Sequence, residues 1–197
     1  MSRKEKHQRL FETVLCSVFI ALIAVMTFTP NFGYLSVGVI EITTIQIVAA
    51  IGAFILGPIY AAILGFSWGI LCLIRATTNP LWVMFVNPAI SVIPRILAIL
   101  AAYGIFRLLA KTKLPLAVRA AIGGGTASLA NTIFVISAMS IFGEHTNFYA
   151  DAWSTVKSIL STIIGVNGLV ELAASVIIVP LIYTAISVPL KRYMKNR

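Results

Sequence analysis

The chain has 197 residues, 59% of them hydrophobic and 11% charged, with a net charge of +9 and a mean hydropathy of +0.99. These values lie outside the range of soluble domains and place the chain in a bilayer. At about 20 residues per span, the length holds about six helices in a single membrane domain over 1–197, and its basic residues sit in blocks between apolar segments, which suits anionic headgroups rather than nucleic acid.

Hydropathy and breakers divide the chain into six apolar segments, about 12–29, 44–57, 59–75, 88–109, 117–142 and 156–190. The predicted fold is therefore an all-α membrane protein with six transmembrane helices. A basic stretch before an apolar run is also the pattern of a secretory leader, but this run is long and no A-x-A-like site follows, so the first helix is expected to remain. Ser17, Ala21 and Ala24 give that helix a face of small residues. The helix carries no other evident task, so this face is the candidate for docking an external subunit.

The loop from Pro30 to Thr44 is long enough to act as a lid. Gly57-Pro58 then separates the second and third segments and predicts a tight helical hairpin, with proline opening the second arm. Ala61, Gly65 and Gly69 on the third helix, and Ala98 and Ala102 on the fourth, mark faces of close helix packing, as does Gly123-Gly124-Gly125 on the fifth. The last segment exceeds one straight span. It is expected to begin with an amphipathic turn around Tyr149 to Lys157 and to end at a kink at Pro180 or Pro189.

Topology follows from the cations. Arg3, Lys4, Lys6 and Arg9 precede the first helix, Arg107, Lys111, Lys113 and Arg119 bracket the fourth and fifth, and Lys191, Arg192, Lys195 and Arg197 close the chain. In a six-span arrangement all three clusters share one side, which the positive-inside rule makes cytoplasmic, with both termini inside. Cys16 and Cys72 fall at opposite depths, too far apart for a disulfide, and read as buried apolar thiols.

The run Asn87-Pro88-Ala89-Ile90-Ser91-Val92-Ile93-Pro94-Arg95 puts a fixed cation inside an apolar segment. An intramembrane arginine costs about 2.5–3.5 kcal/mol on insertion scales and faces protein or a wet cavity. The prolines free backbone groups that only protein or water can satisfy at that depth. The other polar residues within the spans are Arg75, Asn131, Asn167 and Glu171, with Gln46 and Trp68 at similar predicted depth. Asn167 and Glu171, four apart, share a helix face. Arg95 with Asn87, Asn131, Asn167, Glu171, Trp68, Arg75, Gln46 and Tyr34 forms the candidate binding set.

Each has a plainer alternative. Arg95 and Glu171 would form a buried pair that fixes helix orientation, Arg75 would snorkel to headgroups, Asn87-Pro88 would only shape a turn, and Tyr34 would join an interfacial aromatic belt with Phe28, Phe32, Trp82 and Phe85. His7 and His145 lie outside the spans, so no metal cluster or catalytic dyad can be built, and no cofactor is implied. There is no G-x-x-x-x-G-K-[ST] loop. Any ATP-driven step would therefore belong to another subunit.

Several stretches together resemble the substrate-binding S components of energy-coupling factor (ECF) vitamin transporters, over nearly the whole chain. They are Ile42-Thr43-Thr44-Ile45-Gln46-Ile47, Gly52-Ala53-Phe54-Ile55-Leu56-Gly57-Pro58, Gly65-Phe66-Ser67-Trp68-Gly69, and Phe85-Val86-Asn87-Pro88 running to Pro94-Arg95. The last two look most like the pantothenate-type branch. The resemblance implies a bacterial plasma-membrane importer subunit, not itself an enzyme, that captures a vitamin at the outer face and topples against a transmembrane coupling protein carrying two ATPases. Members of this kind often show A-x-x-x-A on the first helix, where Ser17 here takes the first place before Ala21.

Pantothenate, an anion with hydroxyl, amide and carboxylate groups, suits Arg95 as a planar fork for the carboxylate and the asparagines for the amide and hydroxyls. An S component for riboflavin or for a pyrimidine- or pyridoxine-like precursor would lean instead on Trp68, Trp82 and Tyr34. A membrane assembly protein without a small ligand is the reading outside transport.

Overall fold

In the computed structural model the described residues are 3–37, 40–78, 80–143 and 167–195. Helix α1 spans Arg3–Phe28. It starts well before the apolar run because its opening residues are good helix formers, and Gln8 donates to Glu12 one turn on at 2.9 Å. The loop that follows departs from the all-α expectation. Strands β1 (Tyr34–Val37) and β2 (Ile40–Thr43) pair antiparallel, with Tyr34 opposite Thr43.

Helix α2 (Ile45–Leu56) has 12 residues, about 18 Å at 1.5 Å per residue, against a hydrocarbon core of about 30 Å. It is too short to cross a bilayer alone, so among the described residues five helices rather than six are long and apolar enough to span: Glu5–Phe28, Pro58–Ala76, Pro88–Leu109, Leu116–Phe142 and Gly168–Ser187. Ile45 through Ile47 and Ala49 through Phe54 of α2 are buried, so the short helix is walled by protein rather than lipid. It ends where Gly57 takes a φ of 106°, a conformation that disfavours any side chain, and Pro58 opens α3 (Pro58–Ala76) as the sequence predicts.

A 3-10 segment over Pro80–Val86 leads to the single turn α4 (Pro88–Ser91), then α5 (Ile93–Leu109), α6 (Leu116–Gly143) and α7 (Gly168–Lys195). The last helix runs through Pro180 and Pro189 rather than ending at either. The expected turn at Tyr149 to Lys157 lies outside the described residues.

At one end of the bundle Gln46 of α2 meets Glu171 of α7; at the other Phe54 meets Tyr183 edge-on, 5.8 Å between centroids. Helices α2 and α7 therefore run in the same direction. Gly123 of α6 sits on the Phe54 ring, whereas Val135 and Met139 cluster with Met84 and Ile90, so α6 runs opposite to α7. Near the end away from the hairpin Phe54 stacks on Phe106 at 4.3 Å, and Arg119 lies 5.1 Å above the Phe106 ring. Cys16 and Cys72 are both free and buried.

Glycines bring α3 onto the broken helix. A Cβ on Gly65 would lie 2.8 Å from the Arg95 carbonyl oxygen, and one on Gly69 would lie 2.6 Å from the Val92 Cα. The row Ala61, Gly65, Gly69, together with the fully buried Ala98 and Ala102, is thus used for packing within this chain.

Candidate functional site

The site lies at the hairpin end of the bundle and begins with the α4–α5 break. Pro94 has no N–H to give the Ile90 carbonyl, its partner four residues back. Arg95 supplies the missing donor: its Nη1 reaches the Ile90 oxygen at 2.7 Å. Nη2 lies 3.6 Å from Cys72 Sγ, a weak acceptor. The guanidinium also sits over two rings, 4.9 Å from the Phe85 centroid and 5.6 Å from that of Trp68. The residue is only 4% exposed, its Nε has no hydrogen-bond partner, and among the described residues no carboxylate pairs with it.

Asn87 supports the break rather than opening toward it. Its Oδ1 caps α4 by accepting from the Ala89 N–H at 2.9 Å. Asn131 on α6 is buried, and its Oδ1 has no partner.

The hairpin is held from both sides. On α3, Arg75 makes a two-pronged ion pair with Glu41 of β2, at 2.8 and 2.6 Å, and stacks 4.3 Å over the Tyr34 ring of β1. Arg75 thus pairs with Glu41 instead of snorkelling to headgroups, the plainer alternative for it. Trp68, wholly buried, donates from Nε1 to the Tyr34 hydroxyl at 3.2 Å. Burial holds the Tyr34 phenol well above its usual pKa, so it stays a neutral hydroxyl.

Immediately before α7, Asn167 Nδ2 donates to the Glu41 carbonyl at 2.7 Å. Glu171 accepts from the Thr43 N–H at 2.7 Å and from Gln46 Nε2 at 3.2 Å. Glu171 and Arg95 therefore spend their hydrogen bonds elsewhere and are not bonded to each other. A helix periodicity puts Asn167 and Glu171 on one face, and that face grips β2.

The structure brings Tyr34, Trp68, Arg75 and Arg95 into one cluster, and Gln46, Asn167 and Glu171 into a second beside it. Among the described residues, four buried oxygens in this region have no partner: Thr43 Oγ1, Gln46 Oε1, Asn131 Oδ1 and Asn167 Oδ1. Unpaired buried acceptors are costly, about 1–3 kcal/mol each, and they demand donors from water or a ligand. A guanidinium N–H on one side and amide and hydroxyl oxygens on the other are complementary to a small polar molecule with an anionic end and hydrogen-bond donors. Sequence reasoning missed Glu41, Cys72 and Thr43. Among the described residues no three His, Cys, Asp or Glu side chains converge as metal ligands.

On α1, Ser17 and Ala21 are exposed and Ala24 is half-buried. The Ser17 hydroxyl folds back onto the Thr13 carbonyl at 3.0 Å, so the face presents no unsatisfied polar group.

Residues 12–183 match the family described as the substrate-specific component of ECF transporters. Over 178 residues the chain is 30% identical to the pantothenate transporter PanT of Leuconostoc mesenteroides subsp. mesenteroides, covering 84% of this chain and 87% of that relative.

Proposed function

The chain belongs to the family of ECF transporter substrate-specific components, and from that membership we propose that it is the pantothenate-binding subunit of a vitamin importer. It captures the vitamin at the outer face of the plasma membrane, with both termini cytoplasmic, and hands it to a transmembrane coupling protein driven by two ATPase subunits. The observation that carries the substrate is the buried Arg95, whose guanidinium has a free Nε and no carboxylate partner among the described residues. An anionic ligand completes it, because a charged hydrogen bond is worth about 1.5–3 kcal/mol.

In this reading the pantothenate carboxylate meets Arg95 between the Trp68 and Phe85 rings. The amide and hydroxyl donors meet Gln46, Asn131 and Asn167. Arg75 and Glu41 fasten the hairpin that covers them. The name of the Leuconostoc relative points to the same vitamin. Riboflavin or a pyrimidine-like ring fits less well, since the one N–H of Trp68 is already given to the Tyr34 hydroxyl.

The test is titration of the purified, detergent-solubilised chain with pantothenate and a vitamin panel, read by tryptophan fluorescence and calorimetry. Saturable binding of pantothenate alone is expected. Binding of a different vitamin keeps the transport role and discards this substrate, whereas no binding across the panel by folded protein favours an assembly role.

A further inference from the structure

Two serines buried between α6 and α7 have hydroxyls without a hydrogen-bond partner among the described residues. Ser128 and Ser175 are fully buried, and neither Oγ has a hydrogen-bond partner. Three other hydroxyls on the same two helices behave differently. Thr126, Ser140 and Thr184 each return to the carbonyl four residues back, at 2.8, 3.0 and 2.6 Å, the ordinary way to satisfy a hydroxyl in an apolar helix.

Their placement is fixed by the helix crossing. A Cβ on Gly124 would lie 2.9 Å from the Ser175 carbonyl oxygen and 2.8 Å from Val179 Cβ, and one on Gly125 would lie 3.2 Å from Leu172. Helices α6 and α7 run in opposite directions, so Ser128, one turn from Gly124, faces the turn between Glu171 and Ser175. Ser128 is in turn three residues from Asn131, whose Oδ1 is also unpaired. The two serines thus prolong the polar site from the hairpin end toward the middle of the bundle.

We propose that Ser128 and Ser175 are specificity-determining residues that read the hydroxyl-bearing end of the ligand, the carboxylate end lying toward Arg95. A hydroxyl both donates and accepts, so two unpartnered serine hydroxyls match alcohol groups and reject an alkyl end, which would leave both unsatisfied. This rests on the pantothenate reading given above and adds the orientation of the bound ligand.

The test uses the full chain with Ser128→Ala and Ser175→Ala, titrated with pantothenate and with an analogue whose hydroxyls are replaced by hydrogen. Alanine is a better helix former than serine and removes an unpaired group. Each ligand-free variant is therefore expected to melt at or above the temperature of the unchanged chain while binding pantothenate about tenfold more weakly. The deoxy analogue is expected to bind the unchanged chain weakly and to show no further loss in the variants.

Pantothenate binding by both variants equal to that of the unchanged chain overturns the assignment of the serines alone. So does a lower melting temperature with unaltered affinity, which is the mark of a structural role. Failure of the unchanged chain to bind pantothenate overturns the substrate reading and this inference together.

Discussion

The Arg95 guanidinium donates at 2.7 Å to the carbonyl oxygen of Ile90, five residues back, the acceptor that Pro94 leaves without a helical partner. The same proline that breaks the helix thereby anchors the cation beside the break. Backbone irregularity at membrane depth is tolerated only where protein satisfies it, and here the Arg95 side chain does that work. One donor holds the fold and the free Nε remains for chemistry.

Arg95→Ala should accordingly lose two separable things. Pantothenate binding should weaken at least about tenfold, and the orphaned Ile90 carbonyl should cost about 1–3 kcal/mol of stability. Adding Pro94→Ala returns an N–H to Ile90 and should restore the melting temperature without restoring affinity. Calorimetry and thermal unfolding in detergent read the two. If the second substitution recovers both, Arg95 serves the fold alone.

The Glu41–Arg75 pair ties the hairpin to α3, with side-chain exposures of 12% and 24%. A pair with this much solvent contributes about 1 kcal/mol or less to global stability, yet it is the bond that joins β2 to the end of α3. Glu41→Gln and Arg75→Gln should each speed pantothenate release severalfold in stopped-flow fluorescence and barely shift the melting temperature. The double variant should release no faster than either single one, because partners in one bond couple. Additive effects would mean that the two residues act separately.

The approach of α3 to the α4–α5 break gives a contrast between two glycines. A Cβ at Gly69 would press on the Val92 Cα at 2.6 Å, while one at Gly104 meets nothing within 4 Å. Gly69→Ala should destabilise by about 1–3 kcal/mol through overpacking against backbone and should weaken binding as Trp68 and Arg95 separate. Gly104→Ala should stabilise by up to about 1 kcal/mol through helix propensity. Equal melting temperatures for the two variants would contradict the observed packing.

What the sequence disclosed divides along a physical line. Arg95 stands out because a cation in an apolar run is expensive wherever it points, and Gly57-Pro58 stands out because its turn chemistry is local. The hairpin was legible in principle, in the β-branched and aromatic runs Tyr34 to Val37 and Ile40 to Thr43, but hydropathy windows pass over strands this short. The partners of Arg75 and Glu171 were not legible: Glu41 is 34 residues from Arg75, and Thr43 is 128 from Glu171, contacts that only the packed bundle makes. Ser128 and Ser175 were hidden for another reason. A serine in an apolar helix ordinarily bonds its own backbone, so its type and spacing give no sign of the exception.

The exposed face of α1 supplies the last prediction. Ser17 and Ala21 point away from the bundle, so enlarging them should leave ligand binding in detergent unchanged. Small residues four apart let a neighbouring helix approach closely, and contact rather than hydrophobicity drives such association in lipid. Ser17→Leu and Ala21→Leu should therefore abolish pantothenate uptake by cells that supply the coupling protein and ATPases, at unaltered affinity of the isolated subunit. Ser17→Ala should transport normally, because the hydroxyl it removes already bonds Thr13 within the helix and its loss restores the small pair Ala-x-x-x-Ala. Uptake by both leucine variants at the level of the unchanged chain would assign this face to lipid and move the docking surface elsewhere on the subunit.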